Sequence, residues 1–381
     1  MAHFLKTAFL AGLLCSGFVL SAQENPSSAN TAATAPDAAA AAPSAETKFW
    51  TFSAGLDTYS AFNANRPPSG SNDLRNFDMS SGSVYLNAAS LGVEFKSDYF
   101  GAHLDGGYGN MFKTIAATDS WKGPNQYIMQ GYVTVTPWKQ SGPTLDFGKF
   151  YTSLGAEVPD TLSNFNYSRS LIFTLGTPYY HFGLRGSMPV SKTLTVGAQL
   201  VDGCNDVTGK NKGRMAIVTS ALTHERWGWN QAVMTGSESA PGFESAVPSY
   251  RNVVDEVLTM TPRSSLHAYV EGLYGREHRT GFSPDNWYGF ATSLRWEASK
   301  KLGFSPRIEY FGDPSGFNSG TAQHLREFTA TADYKLHPLV TARFEFRRDM
   351  SDRGVFESRN GMSRSQQTLL VGLIAAWKTA R

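Results

Sequence analysis

The sequence predicts an all-β protein: a transmembrane antiparallel up-and-down β-barrel of about 16 strands, with short periplasmic turns and long extracellular loops. Three observations predict it. After Phe49 no segment keeps a helical apolar period over three turns, whereas short alternating segments recur throughout. The stretches between them alternate between short and long. Tryptophans gather at the ends of the alternating segments, where a membrane interface asks for an apolar ring with a wet edge.

Taken in chain order, the first element is a weakly basic start, M-A-H-F-L-K-T, followed by a 13-residue apolar run over residues 8–20 that ends at Ser21-Ala22. Residues 1–22 read as a secretory signal peptide, because a spanning helix needs roughly 20 apolar residues. Leu14 stands before Cys15 where a lipobox wants a small residue, which argues against lipidation. Cleavage after Ala22 leaves Cys204 as the single cysteine, so no intramolecular disulfide is expected. Residues 23–48 are almost wholly Ala, Ser, Thr and Pro and read as a disordered periplasmic linker. The barrel occupies residues 49–381.

Within it, short turns are expected near 97–100, 138–142, 190–192, 225–228, 261–264, 298–301 and 336–338. Long loops are expected near 63–80, 115–124, 156–179, 202–213, 237–248, 276–285, 313–322 and 350–364. The even strand count puts both termini on the short-turn side. The stretch T-A-R-F-E-F-R-R-D over residues 341–349 illustrates the strands: Ala342, Phe344 and Phe346 share one face, and Arg343, Glu345 and Arg347 share the other. A closed ladder satisfies every backbone group where hydrocarbon offers no partner. The phenylalanines are therefore expected to face lipid and the charges a water-filled lumen. Trp50, Trp138, Trp227, Trp229, Trp296 and Trp377 fall at periplasmic strand ends, and Trp121 and Trp287 at the other side. Trp50, Trp138, Trp229, Trp296 and Trp377 are the expected interface belt. The final strand, residues 367–377, is apolar on both faces and could seat against an inward loop or the linker.

Composition excludes several functions. Lys and Arg total 34 against 32 Asp and Glu, so there is no basic excess of the kind a nucleic-acid binder needs. The eight histidines show no metal spacing, and H-E-x-x-H is absent. His181, His267 and His324 lie on separate elements without a nucleophile motif, so neither catalytic residues nor a cofactor are expected. A calcium site at Asp202, Asn205 and Asp206 is disfavoured by Lys210 and Lys212 beside it.

Several stretches in order resemble the OmpL-like β-barrel porin family: G-L-D-T-Y-S-A-F-N-A-N-R-P from Gly55, Y-L-N-A-A-S-L-G-V-E-F from Tyr85, L-D-F-G-K-F-Y-T-S-L-G-A-E-V from Leu145, N-F-N-Y-S-R-S-L-I-F-T-L-G-T-P-Y-Y-H-F-G-L-R from Asn164, and V-D-G-C-N-D-V-T-G-K-N-K-G-R from Val201. The resemblance implies an outer-membrane barrel of a diderm bacterium and a porin activity. The sequence departs from similar proteins at Asp202-Gly203-Cys204-Asn205-Asp206, where they tend to have N-G-W-D. It also ends W-K-T-A-R instead of on an aromatic, leaving Trp377 as the stand-in for the barrel insertion machinery.

The site expected is a constriction. The 156–179 loop carries Glu157, Asp160 and Arg169 ahead of the apolar anchors Leu171, Ile172 and Phe173. Folded inward, it would set Glu157 and Asp160 opposite wall cations such as Arg185 and Arg343, a transverse field that filters solutes by polarity; folded over the outer mouth, it would have no gating role. Asp57, Arg295, Arg307, Glu309, Asp333, Glu345 and Arg347 complete the expected lining. The inward charges nearly cancel, so no ion preference follows. The partners expected are outer-membrane lipid and lipopolysaccharide, the insertion machinery, small hydrophilic solutes diffusing passively and a homo-oligomer; the main rival is a non-conducting barrel with an adhesive or envelope-structural role, and the weaker third is an outer-membrane hydrolase.

Overall fold

Sixteen antiparallel strands close on themselves when β1 (Phe49–Asn63) pairs with the last strand, β18 (Ser365–Lys378), through a register that sets Thr58 opposite Leu373. The computed structural model describes residues 49–117, 119, 123–138, 142–209, 213–238 and 249–379. The expected signal peptide and linker, residues 1–48, lie outside the described residues, as do Trp121, Lys210 and Lys212.

Between the two closing strands the chain meanders through β2 (Val84–Lys96), β3 (Phe100–Tyr108), β4 (Ile128–Val135), β5 (Thr144–Tyr151), β6 (Tyr180–Pro189), β7 (Leu194–Val201), β8 (Met215–Thr223) and β9 (Trp227–Glu238). It continues through β10 (Ser249–Arg263), β11 (Leu266–Arg279), β12 (Asp285–Glu297), β13 (Leu302–Asp313), β14 (Gln323–His337) and β15 (Val340–Ser351). Every neighbour in sequence is a neighbour in the sheet. The seven short turns and eight long connections fall where the alternation of the sequence puts them.

The long connections hold what strand periodicity did not announce. A short helix, α1 (Asn110–Ile115), follows β3, and a hairpin of β16 (Phe356–Ser358) and β17 (Gly361–Ser363) sits in the loop before β18. A π-helical turn, Ile172–Gly176, interrupts the 152–179 connection.

Alternation along each strand sorts two solvents. Outward positions such as Phe52, Leu91, Leu104, Phe147, Leu200, Val218, Phe290, Ile308, Phe344, Leu369 and Val371 are exposed. An apolar belt around a closed barrel is the surface that a hydrocarbon solvent asks for. Inward positions are polar on one side of the barrel and apolar on another. Val201, Met215, Ile217, Met234, Val253, Val257 and Leu273 form with Leu154, Leu171, Ile172 and Phe311 one buried cluster. Trp50, Trp138, Trp229, Trp296 and Trp377 are exposed, as is Trp227. Trp287 lies at the long-loop end of β12, as expected, and points inward, 1% exposed and stacked on Phe317.

Candidate functional site

A connection as long as 152–179, with little regular structure, carries backbone N–H and C=O groups that need partners. The inner faces of distant strands supply them. Glu345 accepts the N–H groups of Tyr167 (2.6 Å) and Ser168 (2.9 Å), and Glu309 accepts that of Leu171 (2.6 Å). Arg343 donates to the carbonyls of Thr161 and Asn166, both at 2.9 Å, and Arg347 to that of Arg169 at 2.5 Å. Asp57 on β1 accepts the hydroxyls of Tyr167 (2.8 Å) and Thr161 (2.6 Å) and the Asn87 amide (2.7 Å). The segment springs from β5 and β6, whereas β13, β14 and β15 lie on the far side of the closed strand order.

The charges are bound to one another as well. Arg307 pairs with Glu157 (2.8 Å), Glu309 (2.8 Å) and Glu327 (3.3 Å) and donates to the Ser168 carbonyl (2.8 Å). Asp333 receives Arg343 through both oxygens (2.6 and 2.9 Å) and Arg295 at 2.5 Å. Arg347 and Arg75 both hold Asp349, at 2.8 Å each. These guanidiniums are enclosed by protein: Arg307 is 1% exposed, Arg343 2% and Arg347 1%. The lumen charges of the 341–349 stretch thus point inward, but they meet loop atoms where water was expected.

Two inward wall glycines give the segment room. A Cβ at Gly372 would lie 2.6 Å from the Tyr167 ring, and one at Gly289 2.6 Å from Ile172 Cγ1. Leu171 and Ile172 are buried in the large apolar cluster, and Phe173 packs with Phe77, Phe112 and Tyr180 in a second. Tyr167 joins Tyr59, Leu370 and Ile374 in a third, which is where the inward apolar face of the last strand goes.

The pairing expected from sequence is different in detail. Glu157 meets Arg307 and the Ser170 N–H (2.6 Å), while Asp160 caps its own turn through the Ser163 N–H (2.9 Å) and hydroxyl (2.7 Å). Neither faces Arg185, which is bound to Asp146 at 2.7 Å on the opposite wall. Arg169 donates to the carbonyls of Val158 (2.9 Å), Pro159 (2.8 Å) and Tyr167, holding the loop to itself. Asp202 pairs with Arg214, and Asn205 accepts the Tyr179 N–H at 2.7 Å.

Several buried charges escaped the sequence reading. Asp255 accepts the Gly155 N–H at the loop's root (2.9 Å), with Glu271 beside it, and Arg251 pairs with Glu277 at 2.6 Å. The signal was present in V-V-D-E-V, where Val253, Asp255 and Val257 share the inner face, but adjacent Asp255 and Glu256 hide which carboxylate is inside.

The other wall is less enclosed, although Asp146, Lys149 and His181 on it are buried. On β2 to β6, Glu94, His103, Asp105, Gln130, Tyr132 and Arg185 are half-buried, with His103 and Asp105 side chains 21% and 30% exposed across a 2.7 Å contact. A small cavity of about 40 Å³ is bounded by Asp57, Ser90, Met111, Asp160, Thr161 and Ile374. The interior is therefore asymmetric: closed ion pairs on β12 to β15, and a wetter polar track on β2 to β6.

A family model described as "Putative beta-barrel porin-2, OmpL-like" matches residues 50–377, nearly all of the described barrel. The chain belongs to the OmpL-like β-barrel porin family. Among solved structures, OmpT of Vibrio cholerae in its trimer form superposes on this OmpL-like barrel with a TM-score of 0.61 at 12% identity, covering 88% of this chain and 100% of that one. An anion-selective porin from Comamonas acidovorans gives 0.60 at 7% identity, covering 87% and 100%. The outer-membrane channel DcaP of Acinetobacter baumannii gives 0.58 at 10%, covering 88% and 99%. At these identities the likeness is one of fold. No curated protein is significantly similar in sequence. The OmpL-like chain is an outer-membrane barrel of a Gram-negative bacterium, with its short turns toward the periplasm.

Proposed function

We propose that this barrel passes small hydrophilic solutes passively down their gradients, and that the 152–179 segment is its constriction. The observation that carries the reading is the far-wall attachment of that segment: it leaves β5, bonds to Asp57, Arg307, Glu309, Arg343, Glu345 and Arg347, and returns to β6. A strap anchored so narrows the lumen and pushes the passage toward β2 to β6, where the polar groups are wetted. A 16-stranded barrel is wide enough to keep an aqueous channel beside such a strap. The exposed tryptophans would serve as the interface belt, and Trp377 as the recognition residue for insertion.

A second reading has its own support. The apolar cluster around Leu171, Ile172 and Phe311 fills much of the interior between β7 and β13, which suits a non-conducting barrel with a structural or adhesive role. Single-channel recording of the folded protein in a planar bilayer separates the two. Stable steps that enlarge when 156–179 is shortened are expected; silence from a folded, heat-modifiable barrel in both forms would overturn the channel reading.

A further inference from the structure

On most of the barrel the outward side chains along the strand middles are apolar: Phe290 on β12, Ile308 on β13, Phe328 on β14, Phe344 on β15, Leu369, Val371 and Leu373 on β18, and Leu56 on β1. Outward polar residues also occur at Arg348 and Gln367, opposite Phe328, but on one face they run across three strands and bond to one another. Outward on β8, β9 and β10 stand Ser220, Gln231 and Glu256, in a row fixed by the register Ser220 opposite Gln231 opposite Glu256. Ser220 Oγ donates to Gln231 Oε1 at 3.0 Å, and Gln231 Nε2 donates to Glu256 Oε1 at 3.4 Å. A second row lies toward the loops, where Thr235 Oγ1 donates to Asn252 Oδ1 at 2.7 Å.

Both rows lie at membrane depth. Trp229, opposite Leu258, is the next outward position on the periplasmic side of Gln231, and Tyr250 is the next beyond Asn252 on the other side. A carboxylate and two amides in that band are costly against lipid, because acyl chains offer no donor to Glu256 and no acceptor to the second amide hydrogen of Gln231. Val218, Val233 and Val254 run between the two rows, and two flanking outward positions are small: Ala216 on β8 and Gly272, opposite Glu256, on β11. Small residues let a second surface approach closely, and polar side chains then bond across the contact.

We propose that the β8 to β10 face is where a second copy of this chain docks, about a two-fold axis normal to the membrane that passes beside Gln231. The carboxamide is self-complementary, with donor and acceptor on one group, so Gln231 can pair with its own counterpart. The same rotation carries the Ser220 side of one copy toward the Glu256 side of the other, a hydroxyl donor toward a carboxylate. An isologous contact of this kind closes at two subunits. The trimeric form of a fold relative does not dictate this face, which follows from the outward polar rows alone.

Gln231→Cys in the otherwise native chain, oxidised mildly in isolated outer membranes, tests the arrangement. A disulfide-linked dimer from Gln231→Cys is expected, with none from the parent, whose Cys204 packs inside against Met215 and Met234, and none from Leu373→Cys on the other side of the barrel. As a second measurement, the Gln231→Leu, Glu256→Leu double variant should shift from dimer to monomer in native mass measurement while keeping its heat-modifiable fold. A folded parent that is monomeric at membrane density, a trimer without the Gln231→Cys cross-link, or a cross-link that forms only at Leu373→Cys would each overturn the proposal.

Discussion

Glu345→Gln is the sharpest perturbation of the strap, because it keeps the shape of the wall and changes one atom's hydrogen-bonding sense. Glu345 takes three donors, the N–H groups of Tyr167 and Ser168 and the Thr331 hydroxyl at 2.8 Å. A glutamine has one acceptor oxygen, and its NH₂ must face at least one of those donors. A charge-assisted hydrogen bond is worth roughly 1.5–3 kcal/mol, and leaving a buried N–H unpaired costs about 1–3 kcal/mol. The docked strap should therefore lose about 3 kcal/mol against its undocked state, on the order of a hundredfold in the opening equilibrium. Amide hydrogen exchange reads this directly: Tyr167 and Ser168 should exchange about a hundredfold faster, while strand amides such as those of β14 and β15 stay protected. Unchanged exchange at both loop amides in a folded variant would refute the idea that wall carboxylates hold the strap.

Gly372→Ala should have a related effect by sterics, since its Cβ would lie 2.6 Å from the Tyr167 ring; faster exchange at Tyr167 with an unchanged unfolding temperature is expected. Arg307→Met leaves Glu157, Glu309 and Glu327 without their shared cation, and breaking a buried pair costs about 3–5 kcal/mol, so the temperature at which the fast-migrating folded form disappears on a gel should fall. Asp73, whose carboxylate accepts the Glu357 N–H at 2.6 Å, is held above its ordinary value of 3.8 chiefly by burial. A raised carboxyl favours the neutral form in the folded state, so its contribution is present below pH 3.8 and lost as pH rises through the raised value. The protection factor of the Glu357 amide, taken relative to its base-catalysed intrinsic rate, should fall over that rise in the native chain and stay level in Asp73→Asn.

The barrel was legible because its determinant is local and repeated. Alternation in R-F-E-F-R-R-D decides which face of β15 is inside without reference to any other strand, and every closed-ladder strand obeys the same rule. The turns were legible for the same reason, as breaks in alternation. What lay inside was harder, because it depends on which residues meet across the lumen. Arg307 reaches Glu157 across a long sequence separation, and nothing in either neighbourhood prefers it to Arg343. Gly372 and Gly289 read as ordinary strand glycines until Tyr167 and Ile172 are seen against them. Helix α1 escaped because its six residues are too few to show a period, and the inward Asp255 was hidden by Glu256 beside it.

The chemistry of the far wall also explains why so many charges can be enclosed there. A buried ion pair alone gives little net stability, since desolvation offsets the attraction. Here the charges are sorted by what the loop backbone presents. Carboxylates of Glu309 and Glu345 meet N–H groups, and guanidiniums of Arg307, Arg343 and Arg347 meet carbonyls. The wall thereby recognises the path of the strap more than its side chains, and fixes its register along β13 to β15. On the proposed function, those wall charges are spent on holding the strap and do not meet solute. The groups left to do so are Asp160, which is exposed at the strap's turn, and the half-buried Glu94, His103, Asp105 and Arg185 of the opposite wall. Selectivity would then be set on β2 to β6, and substitutions there should change ion preference without loosening the strap, the reverse of what Glu345→Gln does.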